Sequence, residues 1–146
     1  MTGILIAPED LREIKKLYEE VLSNAAYGMF FREGKIIGYS IWNSLFRKRT
    51  VEDIPENEFI AKTEEVLQSR GFIKRLEADF KTSKIVVHGS AESTLSGEPS
   101  CHRLSGVLTA LVEKKLNKKV LCHEIKCMTG NDDECIFVIM GETTLY

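Results

Sequence analysis

Residues 120–140 read VLCHEIKCMTGNDDECIFVIM. Apolar and β-branched residues stand on both sides of the turn formers Thr129-Gly130-Asn131-Asp132-Asp133. The segment therefore predicts two strands, Val120 to Cys127 and Cys135 to Met140, joined as a hairpin. Just upstream a helix is expected from about Pro99 to Leu116, with Leu104, Val107, Leu108, Leu111 and Val112 turned inward. Pro99 suits its first turn, where a missing N–H has no partner to lose. Ala91 to Pro99 is small and polar and reads as a loop. An earlier hairpin is predicted from Phe72 to Phe80 and Lys84 to His88, around the polar turn Lys81-Thr82-Ser83.

The N-terminal half carries a different period. Leu11, Ile14, Leu17, Tyr18, Val21, Leu22 and Ala25 recur at helical spacing between charged residues, giving an amphipathic helix that starts near Pro8. A second helix is expected from about Ala25 to Phe46, with Tyr27, Phe31, Gly34, Gly38, Trp42 and Leu45 along one stripe. Each glycine costs a helix about 1 kcal/mol relative to alanine. Gly34 and Gly38 therefore mark either a break near Glu33-Gly34 or a flat notch against another backbone, from the sheet or a second subunit. After a loop with Pro55, the residues Phe59, Thr63, Val66 and Leu67 suggest a third helix ending near Gly71. The order predicts an α+β fold with a mostly antiparallel sheet and helices on one face. The expectation is a single domain over 1–146, helical over 1–70 and α/β over 71–146.

Length and charge limit what such a chain can do. With 146 residues it can bury a core without disulfide staples. A formal charge of -2 argues against a general nucleic-acid binder. The basic clusters Arg47-Lys48-Arg49 and Lys114, Lys115, Lys118, Lys119 read as solvated surface, the second also favouring a helix C-terminus. Met1 to Pro8 lacks a secretory pattern and no run is long enough for a membrane span, so a cytoplasmic setting is expected.

In that setting cysteines are more often metal ligands, reactive thiols or core residues than disulfides. Cys101, Cys122, Cys127 and Cys135 all fall in the last third. Cys127 and Cys135 flank the predicted hairpin turn, and Cys101 opens the preceding helix, where the dipole favours a thiolate. Three thiolates need a fourth ligand to complete a zinc tetrahedron, and His123 and Glu124 are both near. In a regular strand His123 shares a face with Cys127, whereas Glu124 requires a bulge before it. Spacing alone favours His123. Buried metal-free cysteines, or a Cys127–Cys135 disulfide, fit the same spacing.

Cys101-His102-Arg103-Leu104-Ser105-Gly106-Val107-Leu108, then Glu124-Ile125-Lys126-Cys127-Met128-Thr129-Gly130, then Asp133-Glu134-Cys135-Ile136-Phe137 resemble the 4-vinyl reductase domain family. The helix around Gly34 and Gly38 also resembles the family's N-terminal part. The resemblance implies a fold like that of small vesicle-transport tethering subunits, which form dimers and can enclose an acyl chain. It also implies a likeness to bacterial sensory domains in which zinc sits beside a small-molecule pocket. Carried onto this chain, the ligands are Cys101, Glu124, Cys127 and Cys135, with His123 the runner-up. Four protein ligands make the ion structural. Cys122 is left as a buried core thiol.

No dinucleotide fingerprint, phosphate loop, zinc-protease helix or nucleophile elbow is present in the sequence, so the expectation is a chain that is not an enzyme. His102 is expected to be exposed and His88 to lie on a strand, and Asp132-Asp133-Glu134 reads as an acidic turn. Trp42, Phe46, Phe72 and Phe80 are either core or the wall of an apolar cavity. The leading expectation is a stand-alone, zinc-stabilised module binding a small apolar or aromatic molecule, homodimeric through its glycine-bearing helices. A dimeric interaction scaffold without ligand, or an accessory protein in tetrapyrrole metabolism, is the alternative.

Overall fold

A computed structural model describes residues 6–22, 25–93, 100–127 and 134–141. Residues 94–99 of the predicted loop, the predicted helix start at Pro99 and the turn at 129–133 lie outside them. Four helices, α1 (Pro8–Leu22), α2 (Ala25–Phe46), α3 (Glu56–Ser69) and α4 (His102–Leu116), accompany four strands. The strands are β1 (Arg75–Asp79), β2 (Lys84–His88), β3 (Val120–Lys126) and β4 (Glu134–Gly141). They form one antiparallel sheet in the order β1-β2-β4-β3. The fold is α+β with a helical N-terminal half, as the periodicities predict. Among the described residues no helix is long and apolar enough to cross a membrane.

One sheet face is buried. Leu76, Val87 and Cys135 lie in one cross-strand row, and Ile85, Phe137 and Glu124 in the next. α4 lies against this core with an almost continuous buried run from Leu104 to Val112. α2 is one continuous helix, so the glycines mark a notch and not a break. Its occupant is α4 of the same chain, neither the sheet nor a second subunit. A Cβ on Gly34 would stand 1.9 Å from the Arg103 carbonyl oxygen, and one on Gly38 2.6 Å from that of Val107. Gly106 answers from α4, where a Cβ would meet the Phe31 carbonyl oxygen at 2.1 Å. Two helix backbones therefore touch where side chains would hold them apart.

Two predicted boundaries move, each because a backbone group is used elsewhere. Phe72 and Phe80 flank β1 and do not belong to it. The Phe72 N–H closes the C-terminus of α3 on the Leu67 carbonyl, helped by Gly71 at φ +80. At the other end the Asp79 carboxylate accepts the Lys81 N–H and starts the turn before Phe80. α4 begins at His102 because Cys101, its N-cap, is not helical and gives its N–H to Glu124. The exposed start of α4 is then served from afar: the Glu92 carboxylate accepts the N–H groups of Arg103 and Leu104, at 3.2 and 2.6 Å.

Both sheet edges are occupied by helix side chains. On β3, Cys122 gives its N–H to Thr109 Oγ1 and accepts Ser105 Oγ at its carbonyl, while Val120 N–H reaches Glu113. These three polar residues stand four apart along α4. On β1 the Leu76 N–H donates to Glu64 of α3 at 2.8 Å.

α1 departs most from its pattern. Its apolar stripe faces solvent: Ile14, Leu17, Tyr18, Val21 and Leu22 are all exposed, Val21 at 70%. The side chain it buries is Lys15, whose ammonium donates to the Ser100 carbonyl.

Candidate metal centre

The β3–β4 ladder decides which ligand faces the cysteines. Glu124 pairs with Phe137 but Lys126 pairs with Ile136, so Ile125 is the extra residue of a β-bulge. Without it, strand alternation would turn Cys127 to the other face. With it, Cys127 comes opposite Cys135 on the buried face beside Glu124. His123 lies opposite Val138 and is exposed. Cys101 arrives from the N-terminus of α4, tied to β3 by its own N–H on Glu124 Oε1 at 3.0 Å.

The ligand atoms of Cys101, Glu124, Cys127 and Cys135 all lie within 4.8 Å of one another, and all four residues are buried. Cys101 Sγ stands 3.9 Å from Cys127 Sγ and 3.7 Å from Cys135 Sγ, and the latter two are 3.3 Å apart. Thiolates bound at about 2.3 Å around one tetrahedral ion stand about 3.8 Å apart, close to this spacing. A disulfide needs about 2.05 Å, and none joins these cysteines. Glu124 Oε2 is buried without a hydrogen-bond partner. An acceptor left so costs free energy unless something positive meets it. The donor set, the spacing and this oxygen together fit a metal ion: the cluster could hold one.

The electrostatics of the metal-free cluster agree. Hydrogen bonding to Cys127 and Cys135, then burial and the nearby Glu124, hold the Cys101 thiol well above its ordinary value. The helix-dipole expectation of a lowered Cys101 pKa is thus reversed, because neighbouring thiols and burial outweigh a helix end. Burial also pushes Glu124 up to about 7. A cation would reverse both effects by favouring the ionised ligands.

Other singled-out residues divide plainly. Cys122 is buried outside the cluster, its thiol pushed up to about 12 by burial. His102 is half-buried, where the sequence predicts exposure. It stacks on Tyr27 with ring centroids 4.2 Å apart, and burial with the nearby Lys15 lowers its pKa to about 4. His88 is on β2 beside Arg75 and Glu77. Trp42 packs on Phe46 at 4.7 Å, and Phe59 joins both of them to Phe80. Phe72 packs at the margin of the same core. An open cleft of about 650 Å³ lies elsewhere, at the C-terminal end of α4. It is lined by Phe31, Lys35, Tyr39, Glu113, Leu121 and Met140, with Lys114, Lys118 and Lys119 of the second basic cluster.

Sequence reasoning missed Ser90, Glu92 and Ser100 around the cluster. Ser100 precedes Cys101 and is open to notice. Ser90 and Glu92 act across the fold from a polar loop, and no local period marks them.

Residues 88–140 match the 4-vinyl reductase domain, and the chain carries that domain in its α/β part. Among individual proteins, it is 38% identical over 50 residues to Uncharacterized protein MJ0150 of Methanocaldococcus jannaschii. That stretch is 34% of this chain and 29% of the relative, so the match spans less than a third of the relative's length. Two solved structures share the fold. The phenol-responsive sensory domain of the transcription activator PoxR, with phenol, matches 97% of this chain and 77% of its own, with TM-score 0.72 and 14% identity. A vinyl-4-reductase family protein from Methanocaldococcus jannaschii matches 97% and 85%, with TM-score 0.60 and 16% identity.

Proposed function

We propose that this chain is a ligand-binding sensory module whose α/β part is pinned by one structural zinc ion. The reading is carried by the buried cluster of three thiols and a carboxylate with one unsatisfied oxygen. Cys101, Glu124, Cys127 and Cys135 would hold the ion, leaving no open position for water, so it contributes stability and not catalysis. Bound there, it joins the start of α4 to both strands of the last hairpin. Purified protein is expected to hold one zinc per chain and to melt at lower temperature after strong chelation. Protein with no stoichiometric metal and a melting point that chelators leave unmoved overturns the reading.

The sensory part is supported by the fold shared with a phenol-responsive domain. The ligand class is a small apolar or aromatic molecule, walled by Trp42, Phe46, Phe72 and Phe80. Trp42 is the sole tryptophan of the chain and buried, so its emission reports on that wall. Phenol or a related aromatic is expected to raise the melting temperature and alter Trp42 emission together. A panel of such molecules that moves neither sinks the ligand reading.

A second reading, a dimeric scaffold without ligand, is favoured by the ring contacts that fill the aromatic cluster. In either reading a homodimer forms through the exposed stripe of α1, because the glycines are already occupied by α4.

A further inference from the structure

We infer that Ser90 and Ser100 are positioning residues of the metal centre, donating hydrogen bonds to the Cys101 and Cys127 thiolates. The inference rests on the zinc reading above. Three thiolates and a carboxylate around a dication leave negative charge in excess, and a buried site must offset it with donors. The Cys101 N–H supplies one, to Glu124. The sulfurs need their own.

Ser90 Oγ lies 3.2 Å from Cys101 Sγ, and Ser100 Oγ 3.2 Å from Cys127 Sγ. Both serines are buried. They come from separate segments, and each addresses a different sulfur. A metal-bound thiolate carries no proton, so in each pair the hydroxyl must be the donor. Ser90 is set for this: its oxygen accepts the Glu92 N–H at 3.3 Å, which leaves its own proton for the sulfur. Ser100 has a choice. Its oxygen is also 3.1 Å from the Glu92 carbonyl, and one proton cannot serve both acceptors. With Cys127 protonated, the thiol can donate to Ser100 while Ser100 donates to Glu92. Once Cys127 is a thiolate, the hydroxyl proton turns to sulfur and releases the carbonyl. Ser100 is meanwhile anchored from α1, since its carbonyl accepts the Lys15 ammonium.

The test uses the full chain carrying Ser90→Ala or Ser100→Ala, loaded with cobalt(II) in place of zinc. Losing a donor to a thiolate raises the energy of its electrons, so the sulfur-to-cobalt charge-transfer band is expected at lower energy. Ser90→Thr or Ser100→Thr, keeping the hydroxyl, returns it. Zinc affinity, read by competition with a chromophoric chelator, is expected to fall about 10- to 100-fold in the alanine variants and to recover in the threonine ones. Alanine variants with wild-type band energy and affinity overturn the inference and leave the zinc reading standing. A wild-type chain with no charge-transfer band sinks both. Should an alanine variant fail to fold, proton–cadmium scalar coupling across the O–H···S bonds of the cadmium-loaded wild type decides: coupling at the serine hydroxyls supports the assignment, and its absence overturns it.

Discussion

Burial lifts the Glu124 carboxyl from its ordinary 4.5 to about 7 in the metal-free chain, so in that interval the folded chain keeps a proton that the unfolded chain has released. Stability then falls as pH rises from about 4.5 to about 7, by something on the order of 3 kcal/mol, and levels off above. His102 acts with the opposite sign. Its pKa is lowered from 6.5 to about 4, so its contribution is lost as pH falls through that range. Melting E124Q beside the wild type, both metal-free, isolates the first effect: the wild type is expected to lose stability relative to E124Q as pH rises. A constant difference would contradict the buried, unpartnered carboxyl. Glu124 also shows what a single sequence holds back. Alternation along β3 favours His123, and only the extra residue Ile125 brings Glu124 to the side of Cys127. The need for a bulge is readable from spacing; its occurrence depends on β4.

Helices α1, α2 and α3 are legible because their spacing is local, and their limits follow the predicted ones closely. What escapes is whatever one element does for another. The cap that starts α4 is Glu92, separated from its helix by a loop. The polar stripe Ser105, Thr109 and Glu113 stands in plain view at helical spacing, yet its role requires β3 alongside. The glycines give the sharpest prediction at this scale. Gly34→Ala drives a Cβ into the backbone of α4, an obstacle with no rotamer to yield, and is expected to destabilise by about 1–3 kcal/mol or more. Gly28, on the same helix, has nothing within 4 Å of its would-be Cβ. Gly28→Ala is therefore expected to stabilise by about 0.5–1 kcal/mol. Thermal or urea unfolding of the two variants checks both signs.

For the whole molecule, the α1 stripe is too large an apolar exposure to ignore. Light scattering is expected to give a dimer mass, and the double variant Leu17→Glu, Val21→Glu a monomer with the fold retained. A wild-type monomer would contradict this arrangement. The helical half, the α/β half and the gathering of the cysteines in one region are readable from residue order, because hydrophobic period and turn residues encode them. The neighbour that fills the glycine notch is not, and neither is an amphipathic helix turned outward, since periodicity says that a face is apolar but not what covers it. The occupied sheet margins carry one more consequence. With Glu64 on β1 and Ser105, Thr109 and Glu113 on β3, backbone groups that would recruit a neighbour's strand are already engaged. Copies crowded together thus lack a ready template at those positions for ribbon or fibril growth, and self-association is steered toward side-chain surfaces, where it can close and stop.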